Sequence, residues 1–155
     1  MVPRPLALLG AVCLAVGALS RPAAAQGITE VGAQAMLTTA NPTALFAGPT
    51  LARRVGRRDR LAFGLGLGGA DGQVAGRGEA MWQFLLSPEA EGRPGVYLGA
   101  GLAASVTPAW RGWVVATAGV DWSPGGRSGW MAEVGVGGGV RVVMGYRWRR
   151  GGTRK

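Results

Sequence analysis

The chain contains no histidine, and its single cysteine is Cys13. The first absence removes the commonest general base and the commonest metal ligand. The second leaves no thiol after residue 13, so disulfides, thiolate catalysis and Cys-ligated metals are excluded from most of the chain. Acidic residues are also scarce, eight against seventeen basic ones. The uncharged apolar run from Leu6 to Leu19 holds 14 residues, short of the roughly 20 that a bilayer-spanning helix needs.

That short run has a different reading. Met1 to Pro5 carry one charge, Arg4, and Ala23-Ala24-Ala25 follow the run as a small-residue cleavage site. This is the layout of a secretory signal peptide, residues 1–25. Val12 precedes Cys13 where a lipoprotein site would need a small residue. Residues 26–155 then form one domain of 130 residues. With Arg4 and Arg21 gone, fifteen basic residues face eight acidic ones, a net charge of +7. Such a charge suits anionic partners. An exported chain meets lipid phosphates first, so a membrane surface is expected and nucleic acid is not.

What the chain has in excess is glycine. Of 29 glycines, 27 follow residue 25, about three times the usual share of about 7%. They alternate with Leu, Val and Ala. Leu61, Phe63, Leu65 and Leu67 share one face, opposite Ala62, Gly64, Gly66 and Gly68. Val96, Leu98, Ala100 and Leu102 likewise oppose Tyr97, Gly99, Gly101 and Ala103. Period two means strands. Eight are expected, near 28–38, 44–54, 60–68, 74–86, 95–106, 112–122, 129–137 and 139–149. Short turns separate them, including Asn41-Pro42, Asp71-Gly72, Pro124-Gly125-Gly126 and Gly137-Gly138-Gly139. Short links and an even count predict an all-β, eight-stranded antiparallel up-and-down transmembrane β-barrel. It would occupy about 28–149, with a basic tail at 150–155. Pro49 is the misfit, because a proline inside a closed barrel loses a ladder hydrogen bond unless a bulge accommodates it.

Alternation alone does not say which face points inward. Three features favour apolar residues outside. The less apolar face is mostly Gly and Ala, a poor water-facing surface. Glu30, Gln34, Arg77, Glu79, Gln83, Asp121, Glu133, Arg141 and Arg147 all fall on it. These carry both signs, as a paired network in a narrow lumen requires, with Glu133 and Arg141 close to directly opposed across the last hairpin. The aromatic residues fall at strand ends. Trp82, Phe84, Trp122, Trp130, Tyr146 and Trp148 gather at one rim as a girdle, where indole and phenol rings favour a lipid–water boundary. Trp110 and Trp113 fall at the other rim, Trp113 out of phase with the apolar face.

The pattern over residues 28 to 148 resembles small outer-membrane barrels of the OmpA/OmpX type. Its most specific part is Gly138-Gly139-Val140-Arg141-Val142-Val143-Met144-Gly145-Tyr146-Arg147-Trp148. That segment is similar to the closing strand such proteins present to the barrel-assembly machinery. In that family the chain often ends on the aromatic residue, whereas here Arg149 to Lys155 follow. The resemblance implies a bacterial outer-membrane location, with membrane lipids and the assembly machinery as partners.

Other motifs carry little chemistry. Gly64-Leu65-Gly66-Leu67-Gly68-Gly69 matches G-x-G-x-x-G, but no helix follows, so no cofactor is expected. Ser105 has no histidine to activate it, so no catalytic residue is assigned. The acids stand on separate strands, so no metal site is assigned. Arg53, Arg54, Arg57, Arg58 and Arg60 read as a solvated hairpin turn, with lipid phosphate as the functional alternative. The expected function is therefore an integral outer-membrane protein with a structural or interaction role. A barrel that binds or conducts a small or lipidic ligand is the alternative, as is a soluble periplasmic lipocalin-like binder.

Overall fold

In the computed structural model, residues 27–39, 41–90, 92–107 and 109–150 are described. The expected leader, 1–25, and residues 151–155 of the expected tail lie outside them. The chain forms β1 (Thr29–Thr38), β2 (Ala44–Arg54), β3 (Asp59–Ala70), β4 (Gln73–Leu85), β5 (Pro94–Thr107), β6 (Ala109–Trp122), β7 (Ser128–Val136) and β8 (Val140–Arg150). Each strand pairs antiparallel with the next, and β1 pairs with β8, so the sheet closes as an up-and-down barrel. The eight expected strands are all present, and β8 runs one residue into the expected tail. Closure leaves no edge strand exposed.

The alternation in the sequence becomes an inside and an outside. Side chains of successive strand residues point to opposite faces. Val114 is 76% exposed and Val134 57%, whereas Arg60 is 0% and Arg141 2% exposed. Most charged residues of the strands are inside, and most of the large apolar ones are outside. Apolar clusters complete the interior between the charges, one around Met36, Phe46 and Val143 and one around Met81, Ala103 and Val115.

Pro49 needs no bulge. It pairs with Ala33 in unbroken β1–β2 register. The β2–β3 ladder runs from Ala47↔Leu67 to Thr50↔Gly64 with the same spacing on both strands. Only the pairings of Gly48 and Pro49 with β3 are missing, which is where a residue without an N–H cannot donate. A Cβ on Gly48 would also collide with the Leu65 carbonyl. The inside–outside phase therefore continues past Pro49, with Arg53 on the outer face and Arg54 buried in the lumen.

The two rims differ. The terminal rim carries both ends of the barrel and the β2–β3, β4–β5 and β6–β7 connections. The opposite rim carries the four remaining turns, which are short. Among them, the β7–β8 turn uses Gly137, Gly138 and Gly139, with Gly138 at φ +75°, a left-handed conformation that favours glycine.

Candidate functional site

The most organised chemistry in the barrel is its lumen. Glu30, Arg77, Glu79, Gln83, Asp121, Glu133, Arg141 and Arg147 are all buried there. The structure brings them into one chain of contacts, together with Arg54, Arg60, Tyr97 and Arg149.

Toward the terminal rim, two carboxylates face four arginines. Arg60 Nη1 lies 3.0 Å from Glu30 Oε2 and 3.2 Å from Asp121 Oδ2, so it joins β3 to β1 and to β6 across the lumen. Arg149 Nη2 donates to both Asp121 oxygens at 2.7 Å. Arg54 Nε reaches Glu30 at 3.3 Å, and Arg147 Nη1 stands 3.7 Å from Glu30. Here the basic residues outnumber the acidic ones.

Toward the opposite rim the charges balance. Arg77 Nε donates to Glu79 at 2.8 Å, and Arg141 Nη2 crosses from β8 to β4 to reach the other Glu79 oxygen at 2.8 Å. Arg141 Nη1 is 2.8 Å from Glu133. That ion pair is diagonal rather than directly opposed as expected, because the register pairs Glu133 with Val143 and Arg141 with Gly135. A long arginine spans the offset.

Gln83 and Tyr97 couple the two ends. Gln83 accepts from Arg60 Nε at 2.8 Å and donates to Glu133 at 3.1 Å. The Tyr97 hydroxyl donates to Glu133 at 3.0 Å, and its ring lies 4.9 Å beneath the Arg60 guanidinium. Gly119 makes room for this ring, since a Cβ there would stand 2.8 Å from Tyr97 Cε1. A buried charge costs several kcal/mol unless paired and hydrogen-bonded; this network gives each of its buried charges an ion-pair partner, while Arg60 Nη2, Arg141 Nε and Arg147 Nε and Nη1 are left without a hydrogen bond.

Each mouth of the lumen is covered. At the opposite rim Trp113 points inward, which explains its phase and corrects its expected place in a second aromatic belt. Its ring lies 5.2 Å from the Arg77 guanidinium and fills the space a Cβ on Gly138 would need. At the terminal rim the β6–β7 loop folds over the opening and buries Pro124. Arg54 donates to the Pro124 carbonyl, and Arg149 Nη1 donates to the carbonyls of Ser123 at 3.0 Å and Gly126 at 3.2 Å. Two spaces lined by lumen residues, of about 20 and 30 Å³, each have room for about one or two water molecules. Several lumen glycines lie against long side chains, as Gly119 does beneath Tyr97 and Gly64 beside Gln34.

Arg54 and Arg60 correct the reading of the 53–60 run as a solvated turn. Of that run only Arg57 and Arg58 are exposed, and Arg53 is half-buried. The sequence alone does not single out Arg54, Arg60, Tyr97 and Arg149 as members of the network. The signal was there, since all four continue the inward parity of their strands.

On the outer face, Trp82, Phe84, Trp122, Trp130 and Trp148 are exposed and Tyr146 is half-buried. The register sets all six near the terminal rim. Trp130, Tyr146 and Trp148 pack edge to face, with centroids 5.1 and 5.0 Å apart. Trp110, exposed near the opposite rim, stands without Trp113. Between them runs a band of exposed Val, Leu and Met. Among the described residues no group of three or more acidic side chains converges as a metal site would require. No known protein family and no curated protein matches the sequence.

Proposed function

We propose that the chain is an integral protein of a bacterial outer membrane, exported by a cleaved signal peptide at 1–25 and acting structurally or as an interaction surface, without catalysis. The observation that carries this reading is the inverted polarity of the barrel. Ion pairs, with small apolar clusters between them, fill the inside, while Val, Leu and Trp side chains cover the outside. A water-soluble protein rarely exposes so large a contiguous apolar surface. A membrane barrel requires such a band, edged by aromatic rings. Strands of 9 to 14 residues reach the length a tilted transmembrane strand needs, about 9–11 residues. The similarity of residues 138–148 to a family closing strand supports delivery by the barrel-assembly machinery.

The soluble lipocalin-like alternative has the opposite polarity and loses support here. The binding or conducting alternative needs lumen space, and the two spaces lined by lumen residues each have room for about one or two water molecules.

Membrane fractionation of a Gram-negative host tests the proposal, combined with gel mobility before and after boiling. The protein is expected in the outer-membrane fraction, running as a compact species that shifts only on heating. A soluble chain with no heat-dependent shift would overturn it.

A further inference from the structure

The two rims carry very different charge. The terminal rim exposes Arg57 and Arg58 in the β2–β3 turn, Arg93 in the β4–β5 loop, Arg127 in the β6–β7 loop and Arg150 at the end of β8. Every connection on that rim thus contributes at least one arginine. The acids described there are Asp59, half-buried, and Glu89, which Arg57 engages at 3.0 Å. This pairing holds the Glu89 carboxyl below its usual range. Among the described residues, the side chains of Arg58, Arg93, Arg127 and Arg150 make no hydrogen bond or ion pair. The opposite rim exposes only Asp71 and Arg111 as charges among the described residues.

We infer that the terminal rim is a docking surface for the headgroups of anionic glycerophospholipids. The inference rests on the membrane reading above. Three features on one rim coincide. The arginines surround the barrel rather than forming one patch. They lie just beyond the exposed rings of Trp82, Trp122, Trp130 and Trp148, so they stand at headgroup depth once those rings sit at the lipid boundary. They are arginine throughout, and the chain's only lysine is Lys155. A guanidinium grips a phosphate with two parallel hydrogen bonds, whereas an ammonium offers a point charge. Arginine is also used over lysine throughout the chain, so what a merely solvated turn does not need is the ring arrangement at headgroup depth.

The test uses residues 26–155, because the strands close the barrel among themselves. The protein is refolded into phosphatidylcholine vesicles containing a minor share of phosphatidylglycerol. Spin-labelled lipids then report which headgroup is retained at the protein surface. The label on phosphatidylglycerol should be retained several-fold more than that on phosphatidylcholine. The preference should fall toward parity at high salt. It should fall likewise in the R58Q/R93Q/R127Q/R150Q variant, whose unchanged heat-dependent gel shift reports an intact barrel. R111Q, on the opposite rim, should keep the preference. Equal retention in the wild type, or a preference that survives the quadruple substitution, would overturn the inference and leave the membrane barrel standing. Failure to form a heat-shifting species in any vesicle would overturn the membrane reading and this inference together.

Discussion

Arg141 holds Glu79 and Glu133 at once, both at 2.8 Å. Replacing it with Met leaves two buried carboxylates short of a partner. Loss of one partner from a buried ion pair costs about 3–5 kcal/mol, while replacing both members is often nearly neutral. Arg141→Met and Glu133→Gln should each lower stability in urea, and the double variant should recover part of the loss. Strictly additive losses would mean that the two side chains do not interact. The smaller loss is expected for Glu133→Gln, because Arg141 keeps Glu79. Parity along each strand made eight of the nine polar residues on the less apolar face legible as members of the buried network; the ninth, Gln34, is half-buried beside Gly64. Parity also puts Tyr97 on the less apolar face, but its contact with Glu133 and the room that Gly119 makes for its ring depend on strands distant in sequence. Arg54 and Arg60 were masked by neighbouring exposed arginines.

On the scale of a strand, β7 shows both faces of the barrel within two residues. Val134 points outward, mid-strand. An arginine there should cost roughly 2–4 kcal/mol when the barrel is unfolded from lipid bilayers by urea. An unaltered midpoint would mean that this face meets water. At Gly135 the limit is space, since a Cβ would stand 2.6 Å from the Thr117 methyl group. Gly135→Ala should therefore lower the fraction that reaches the heat-shifting form on a gel. The strands themselves were readable because period two and turn residues agree along the chain. The effect of Pro49 was not, because sequence does not say whether a missing N–H faces a neighbour that tolerates the gap. The diagonal Glu133–Arg141 pairing needed the register of β7 and β8, which turn composition leaves open by a residue or two.

For the molecule as a whole, the covered mouths predict electrical silence. Planar bilayers containing the refolded barrel should show no stepwise conductance above the lipid baseline. Steady steps would mean that the Trp113 and Pro124 covers move aside. The barrel's closure was legible from the even strand count and the short links, and its inside–outside polarity from the mixed charges and strand-end aromatics added to the alternation. The covers were not, because each depends on a side chain or loop meeting a distant strand, as Trp113 meets Gly138.

On the proposed membrane reading, the sparsely charged turns of the opposite rim would give membrane entry a direction. One rim of an inserting barrel must travel through hydrocarbon, and each arginine taken to the midplane costs about 2–4 kcal/mol. The rim that exposes Asp71 and Arg111 can lead, and the arginine-lined rim trails on the side of addition. Insertion into preformed vesicles should then be vectorial. Trypsin added outside should cut at terminal-rim arginines such as Arg58 and Arg127, while Arg111, sealed in the vesicle interior, escapes until detergent is added. Equal cleavage at Arg111 before detergent would mean that the barrel enters in both orientations.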